Sequence, residues 1–332
     1  MKRRKKPFII LAVILVVVLL VAGYIKFFNG RLIYFTTGMK SGELIKTAGQ
    51  KTTYTCEADI LMSDVKKEYE EMFGSNIWKE KIGDADFESY IKDQIKSKLM
   101  RVKAMNVKAK ERGVVLGREE KDSVGKAVDA FYNELTESQI SSTGITKDKL
   151  NTMFTEFAIA QKLYDDLTSS MDIEVSADEA RVIDIQYIVS DSEEDINKAY
   201  NLVNSGSSFF AVAKEYNADG EYEYELKRGE MDAAFEKAAF NLSTGEMSSI
   251  VEAAGRYYII RCTSDNDKAK TEVNKSAILE KRKLEQFNAD FEKYEAGIYM
   301  EFNNSEWKKL SIQYAYTLGS SFEDTFNAYF GK

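Results

Sequence analysis

The 332-residue sequence contains no histidine, one proline and only two cysteines, Cys56 and Cys262. Without histidine there is no Ser-His-Asp or Cys-His catalytic unit and no imidazole-ligated metal. Nor is there a side chain whose ordinary pKa lies near neutrality. Neither cysteine belongs to a C-x-x-C pair, which excludes a dithiol redox motif and a thiolate zinc site. A Cys56–Cys262 bridge stays open as a minor alternative, because the two residues fall in segments of different pattern. Repeats and low-complexity tracts are absent. Carboxylates, tyrosine, lysine and serine remain as chemistry, so metal-free hydrolysis is not expected, and no metal or cofactor is implied.

What is present begins with a basic cluster, Met1 to Lys6 (MKRRKK), followed by an uncharged run from Pro7 to Ile25. Phe8 to Ile25 would make about 27 Å of helix, close to the thickness of a hydrocarbon core. The positive charges precede the run, so the expected topology keeps the N-terminus cytoplasmic and the bulk of the chain extracytoplasmic. Val21-Ala22-Gly23 imitates a signal-peptidase site poorly, and no cysteine follows the run closely enough for lipidation. The expectation is an uncleaved single-pass anchor in the cell membrane.

Charge then divides the molecule. The six basic residues of 1–28 leave 40 of the 46 Lys and Arg against all 54 Asp and Glu, a net charge of −14 for the remainder. Such a body does not bind nucleic acid by neutralising phosphates. The single proline sits at the membrane edge, so the exported part has no X-Pro bond of its own to isomerise slowly.

Apolar residues spaced three and four apart predict helices over Cys56–Phe73, Phe87–Lys110, Arg118–Leu135 and Thr146–Leu167. A short hairpin, Leu44–Lys46 with Thr52–Tyr54, precedes them. The pattern changes near residues 170–180. Arg181–Val189 alternates as a half-buried strand does, helices follow at Ser192–Asn204, Phe209–Tyr216 and Phe235–Phe240, and Arg256–Cys262 is strongly β-prone. This β-α-α-α-β order predicts a compact α+β domain. A charged helix runs from Lys268 to about Ala296. The tail, with Trp307, Ile312, Phe322 and Phe326, is aromatic enough to pack back on the first helical block. The acidic stretch Asp191–Asp195 reads as the first turn of a helix rather than a cation site.

The middle of the chain carries sharper motifs. Phe210-Ala211-Val212-Ala213-Lys214-Glu215-Tyr216-Asn217-Ala218-Asp219 is close to the pattern F-A-x-x-A-K-x-Y-S-x-D, with one residue fewer between its two alanines. Lys227-Arg228-Gly229-Glu230-Met231 follows G-R-G-Q-M, and Phe235 to Leu242 follows F-E-x-A-A-F-x-L. Gly245-Glu246 opens a G-E-I-S turn. In this order and spacing, segment 181–262 resembles the parvulin, or PpiC-type, peptidyl-prolyl cis-trans isomerase domain. The layout resembles membrane-anchored extracytoplasmic foldases of the PrsA/SurA type.

That resemblance implies an α+β fold, with a mainly helical, discontinuous chaperone domain and an inserted parvulin-like domain after one transmembrane helix. The expected order is a cytoplasmic basic tail (1–6), an anchor (7–28), a helical domain (40–172), the parvulin-like domain (173–265), and a C-terminal helix and tail (266–332) packing on the helical domain. It also implies that Met231 and Phe235 line a proline pocket and that Asp219 takes the family's Cys-or-Asp position. The two family histidines are replaced by Tyr187 and Tyr258, and the G-G-D-L-G-W-F loop has become Glu221 to Leu226. Asp219, Tyr187 and Tyr258 are therefore the candidate catalytic residues, and Met231 and Phe235 the candidate substrate-binding residues. A phenol can donate and accept a hydrogen bond but stays neutral, so it cannot reproduce an imidazole's titration. Two functions remain open. One is a folding factor for unfolded or newly secreted polypeptides with reduced isomerase activity. The other is an inactive parvulin-fold holdase or envelope scaffold.

Overall fold

The computed structural model describes residues 38–218 and 220–331. The expected tail (1–6), the expected anchor (7–28) and Asp219 lie outside the described residues. Among the described residues, no helix is long and apolar enough to cross a membrane. The architecture is α+β and divides into two units. One comprises the described residues up to Leu163 and those from Gly297 onward, and the other is Tyr164–Ala296. Both cysteines are buried free thiols, and burial pushes the Cys56 thiol up to about 12, so it stays protonated and inert.

In the first unit, β1 (Glu43–Thr47) turns back on β2 (Thr53–Tyr54) through Gly49, whose φ of 70° suits glycine. On its other edge β1 pairs antiparallel with β9 (Met300–Phe302), which the sequence pattern does not reveal. Leu44 and Ile45 are fully buried there. Three β-residues are too short a run to read as a strand without its partner.

Helix α1 (Thr55–Phe73) follows, then a 3₁₀ turn and a minimal hairpin of β3 (Lys81–Ile82) and β4 (Ala85–Asp86). Helix α2 (Phe87–Arg112) is capped by Asp86, whose carboxylate accepts from Ser89 N at 2.8 Å, and is ended by left-handed Gly113. It buries Ile91, Ile95, Leu99, Val102 and Met105, the three-four stripe expected of an amphipathic helix. Helices α3 (Arg118–Asn133), α4 (Glu137–Thr143) and α5 (Lys147–Thr168) complete the bundle. The tail adds α11 (Asn304–Trp307) and α12 (Phe322–Phe330). Phe322 is buried against Phe154, ring centroids 4.6 Å apart, and Phe154 in turn meets Phe131. The Asp64 carboxylate receives the first N–H groups of α12, from Phe322 at 3.2 Å and Glu323 at 3.1 Å.

Beside this aromatic core lies a buried ionic cluster. Lys103, with 1% of its surface exposed, donates to both Glu156 oxygens at 2.6 and 2.5 Å and to the Lys51 carbonyl at 2.7 Å. Asn106 donates to the Glu156 carbonyl at 2.8 Å. Glu57, also buried, accepts from Tyr54 N at 2.8 Å. Burial, with a smaller push from Glu156, raises its carboxyl to about 8 against the pull of Lys103. Removing one partner of such a cluster strands a buried charge, which costs about 3–5 kcal/mol.

The second unit starts with α6 (Ala177–Ala180) and β5 (Ile183–Ser190), then α7 (Glu193–Asn204) and α8 (Phe209–Tyr216). It continues through β6 (Glu223–Leu226), α9 (Ala233–Phe240), β7 (Val251–Ala253) and β8 (Arg256–Ser264) to the long α10 (Lys268–Glu295). Ser192 caps α7, accepting from Asp195 N at 3.2 Å, and the acidic residues fill its first turn as expected.

The sheet is antiparallel with order β6-β5-β8-β7. Two strands were expected and four are present. Glu223 and Glu225 mask β6, and β7 is only three residues long. Strands β7 and β8 are joined by Ala254 and Gly255, both at positive φ, the geometry of a two-residue hairpin turn. Because side chains alternate, Ile183, Ile185, Tyr187 and Val189 of β5 share one face with Tyr258 and Ile260 of β8, under α9. Ile188 and Ile259 face the other way, under α7 and α8.

Two outcomes test the first unit. Glu57 has a folded-state pKa of about 8 against an ordinary value of 4.5. The stability it contributes is therefore full below pH 4.5 and is lost as pH rises through 8. Thermal unfolding followed across that window should show a falling melting temperature, and Glu57→Gln should flatten the fall above pH 6. The contribution of Asp59, raised by burial to about 6, should persist in the variant. Separately, Phe322→Ala should destabilise by about 3–5 kcal/mol in chemical denaturation.

Candidate functional site

Pairing of β5 with β8 brings two of the candidate tyrosines onto one surface. Tyr187 stands opposite Ile260 and Tyr258 opposite Val189, both on the face covered by α9. Phe235, the third residue of α9, meets Tyr258 edge to face with centroids 5.0 Å apart. Met231 packs against the same cluster from the turn before the helix. Tyr187, Tyr258, Met231 and Phe235 therefore come together. Asp219 lies outside the described residues and is not placed among them.

The turn that presents Met231 is built by the Lys227-to-Met231 motif and the glutamate after Phe235. The Glu236 carboxylate accepts from Gly229 N at 2.7 Å and from Met231 N at 3.0 Å. Gly229 has φ 88°, which only glycine adopts without strain. Glu230 closes the other side by accepting from Lys227 N at 3.0 Å, and Asp232 caps α9 through Ala234 N at 2.8 Å. Arg228 forks onto both Asp178 oxygens at 2.8 Å and stacks over Phe240, with its guanidinium 4.1 Å from the ring centroid. That pair holds the Asp178 carboxyl below its ordinary range.

Asn217 is the residue whose role the sequence does not show. It is 4% exposed, and its carboxamide accepts from Val189 N at 2.9 Å. It donates to the Tyr187 carbonyl at 3.0 Å and to the Glu221 carbonyl at 2.5 Å. One side chain thus ties the Tyr187 end of β5 to the segment entering β6. Gly220, at φ 72°, donates its N–H to the Asn217 carbonyl at 3.0 Å, and Lys214 holds the Gly220 carbonyl at 2.7 Å. The only signal for this clamp in the sequence is that Asn217 stands where the family pattern has serine, another short hydrogen-bonding side chain.

The site differs in character from an open slot. Phe235 is 1% exposed and Tyr258 8%, so both rings belong to the core of the unit, while Met231 and Tyr187 are half-buried. At the rim, Tyr224 lies on the Phe235 face with its hydroxyl within 3.5 Å of a Glu230 oxygen. Burial first, then the Glu230 charge, raises the Tyr224 phenol above its ordinary value. At the opposite end, Asp191 and more weakly the Tyr258 phenol raise the Arg256 guanidinium. The site is therefore a hydrophobic face with phenolic hydroxyls, suited to holding an apolar ring and a carbonyl without moving a proton.

Asn217→Ala should remove the bonds that this side chain makes to the Val189 N–H and to the Tyr187 and Glu221 carbonyls in the second unit. The expected loss is about 1–3 kcal/mol, read as a lower denaturation midpoint of that unit by near-ultraviolet circular dichroism.

A family model described as "Rotamase: PPIC-type PPIASE domain" matches residues 189–264, a span that holds Met231, Phe235 and Tyr258 and begins just after Tyr187. The chain is 25% identical over 240 residues to a foldase protein PrsA of Caldanaerobacter subterraneus, covering 67% of this chain and 73% of the relative. To a foldase protein PrsA of Bacillus subtilis it is 38% identical over 89 residues, 24% of this chain and 30% of the relative. Among solved structures, a peptidylprolyl isomerase PrsA from Bacillus cereus aligns over 87% of this chain and 99% of its own, with TM-score 0.38 and 19% identity. Residues 189–264 thus match a rotamase domain of the PpiC type, on a chain similar in sequence to the PrsA foldases.

Proposed function

We propose that the chain is an extracytoplasmic protein-folding factor that binds unfolded or newly secreted polypeptides and accelerates rotation about their X-Pro bonds weakly. In this reading residues 7–28 anchor it in the membrane with residues 1–6 in the cytoplasm. The helical part, 40–172 with 266–332, holds clients, and 173–265 acts on proline. The observation that carries the isomerase half is the meeting of Met231, Phe235, Tyr187 and Tyr258 on one face of the β5–β8 pair.

Rotation about a peptide bond is opposed by a barrier of about 18–20 kcal/mol, most of it amide resonance. Twisting breaks conjugation and needs no bond to form or break. A site lowers the barrier by seating the proline ring on apolar side chains and withdrawing water from the carbonyl. Met231 and Phe235 offer the apolar seat, and the phenols of Tyr187 and Tyr258 offer neutral donors. Asp219 is proposed to complete the polar side, as the family pattern implies. The missing imidazoles remove any titrating group near neutrality, which is why the acceleration is proposed to be weak.

A second reading, a holdase that does not isomerise, is favoured by the near-complete burial of Phe235 under Tyr258. The two separate in one experiment. Exchange spectroscopy by NMR on an X-Pro peptide with the intact protein should show cis–trans exchange faster than in buffer. Met231→Ala should cut the acceleration about tenfold, for the loss of one apolar contact surface. The rate should be flat from pH 5.5 to 8 because no imidazole titrates. Exchange at the buffer rate, together with unimpaired suppression of client aggregation by Met231→Ala, would establish the holdase reading instead.

A further inference from the structure

Strand β6 ends the four-stranded sheet, and among the described residues no strand pairs with its outer edge. Its hydrogen-bond register says which groups are left. Tyr187 N donates to the Tyr222 carbonyl at 2.8 Å. Counting along the antiparallel pair, Ile185 with Tyr224 and Ile183 with Leu226 exchange bonds in the same way. Glu223 and Glu225 stand in the intervening pairs, opposite Gln186 and Asp184, so their N–H and C=O groups point away from β5. They form a short exposed strand edge able to accept another extended segment.

Side-chain charge tells what segment fits. Glu223 is exposed, and its partner is the neutral Gln186 amide at 3.1 Å. On the opposite face Glu230 accepts from two neutral donors, Lys227 N and the Tyr224 hydroxyl. Glu225 is already matched by Lys270 at 3.0 Å and Lys227 at 3.5 Å. A shallow open depression of about 300 Å3 adjoins Glu223, lined also by Asp184, Ile185, Tyr224, Glu225 and Thr263. A strand added to β6 would set one side chain beside Glu223, and its sequence neighbour would turn to the Tyr224–Glu230 side. A second copy of β6 would oppose glutamates to glutamates, which is unfavourable.

We propose that the outer edge of β6 binds extended polypeptide segments bearing adjacent lysine or arginine residues, by strand addition, next to the Met231–Phe235 face. The inference rests on the folding-factor reading for its clients, but its backbone and charge contacts do not depend on proline. The edge would thus hold a basic stretch of client while the neighbouring face meets its apolar residues.

The test uses the intact protein and two labelled, proline-free peptides of about ten Thr and Val residues. One carries an adjacent Lys pair and the other an adjacent Glu pair. Fluorescence anisotropy should show tighter binding of the Lys peptide, weakening with salt. The Glu223→Gln and Glu230→Gln changes should each reduce affinity by roughly two- to fivefold. Hydrogen exchange of the segment 221–228 should slow when the Lys peptide is added. Glu223→Pro, which removes an outward N–H while sparing the β5 ladder, should abolish that slowing. Equal affinity for both peptides, protection elsewhere only, or protection that grows with protein concentration without peptide would each overturn the proposal. Because the probes contain no proline, loss of isomerase activity leaves this result intact, and its failure leaves the isomerase test unaffected.

Discussion

The pairing of Ile183–Ser190 with Arg256–Ser264 fixes the second unit. A slip of one residue between these strands would turn Tyr187 and Tyr258 from the α9 face to the α7–α8 face and send Ile188 and Ile259 the other way. Both faces are covered by helices, so either slip would bury the wrong set of side chains. Asn217 adds a second constraint beside the candidate site, because its carboxamide reads the backbone of β5 at Tyr187 and again at Val189. Glu236 does the equivalent for the turn holding Met231. The apolar face is therefore positioned by backbone-directed polar side chains, none of which has to touch a client.

The first unit depends on a different balance. Its core is mostly aromatic and aliphatic, yet it encloses Lys103, Glu156 and Glu57. Such a group contributes little net stability compared with an apolar replacement of the same shape. What it supplies is geometry. Lys103 reaches the Lys51 carbonyl, and so joins α2, α5 and the approach to β2 at one point. An excess carboxyl is tolerated because burial keeps Glu57 protonated near neutrality.

Much of this was legible in the sequence, and the failures share a cause. Helices of three or more turns announced themselves through apolar spacing, as in Ile91, Ile95, Leu99 and Val102. Their expected bounds lie within two residues of the observed ends, as for Phe87–Arg112 and Glu193–Asn204. Strands β5 and β8 were readable because their alternation or β-branching is dense. Strands β6, β7 and β9 were not, since each is short and exists through its neighbour's hydrogen bonds rather than its own side chains. The same holds for the site. The motifs pointed to Met231, Phe235, Tyr187 and Tyr258, which do share a surface. The clamp by Asn217 depends on backbone groups distant in sequence, and no residue pattern encodes those. How buried Phe235 would be was also beyond sequence alone, because exposure is a property of what packs on top.

Strand β9 carries a consequence for the order of assembly. Its residues pair with β1 across roughly the length of the chain, as the bond from Thr47 to the Tyr299 carbonyl across 252 positions illustrates. Synthesis proceeds from the N-terminus, so the whole of Tyr164–Ala296 emerges before the strand that closes the first sheet exists. Until then Leu44 and Ile45 lack one edge of their cover, and the helices that receive Phe322 and Trp307 show water an unfinished apolar surface. A chain built this way passes through a stage, each time it is made, in which it resembles the unfolded polypeptides it is proposed to bind.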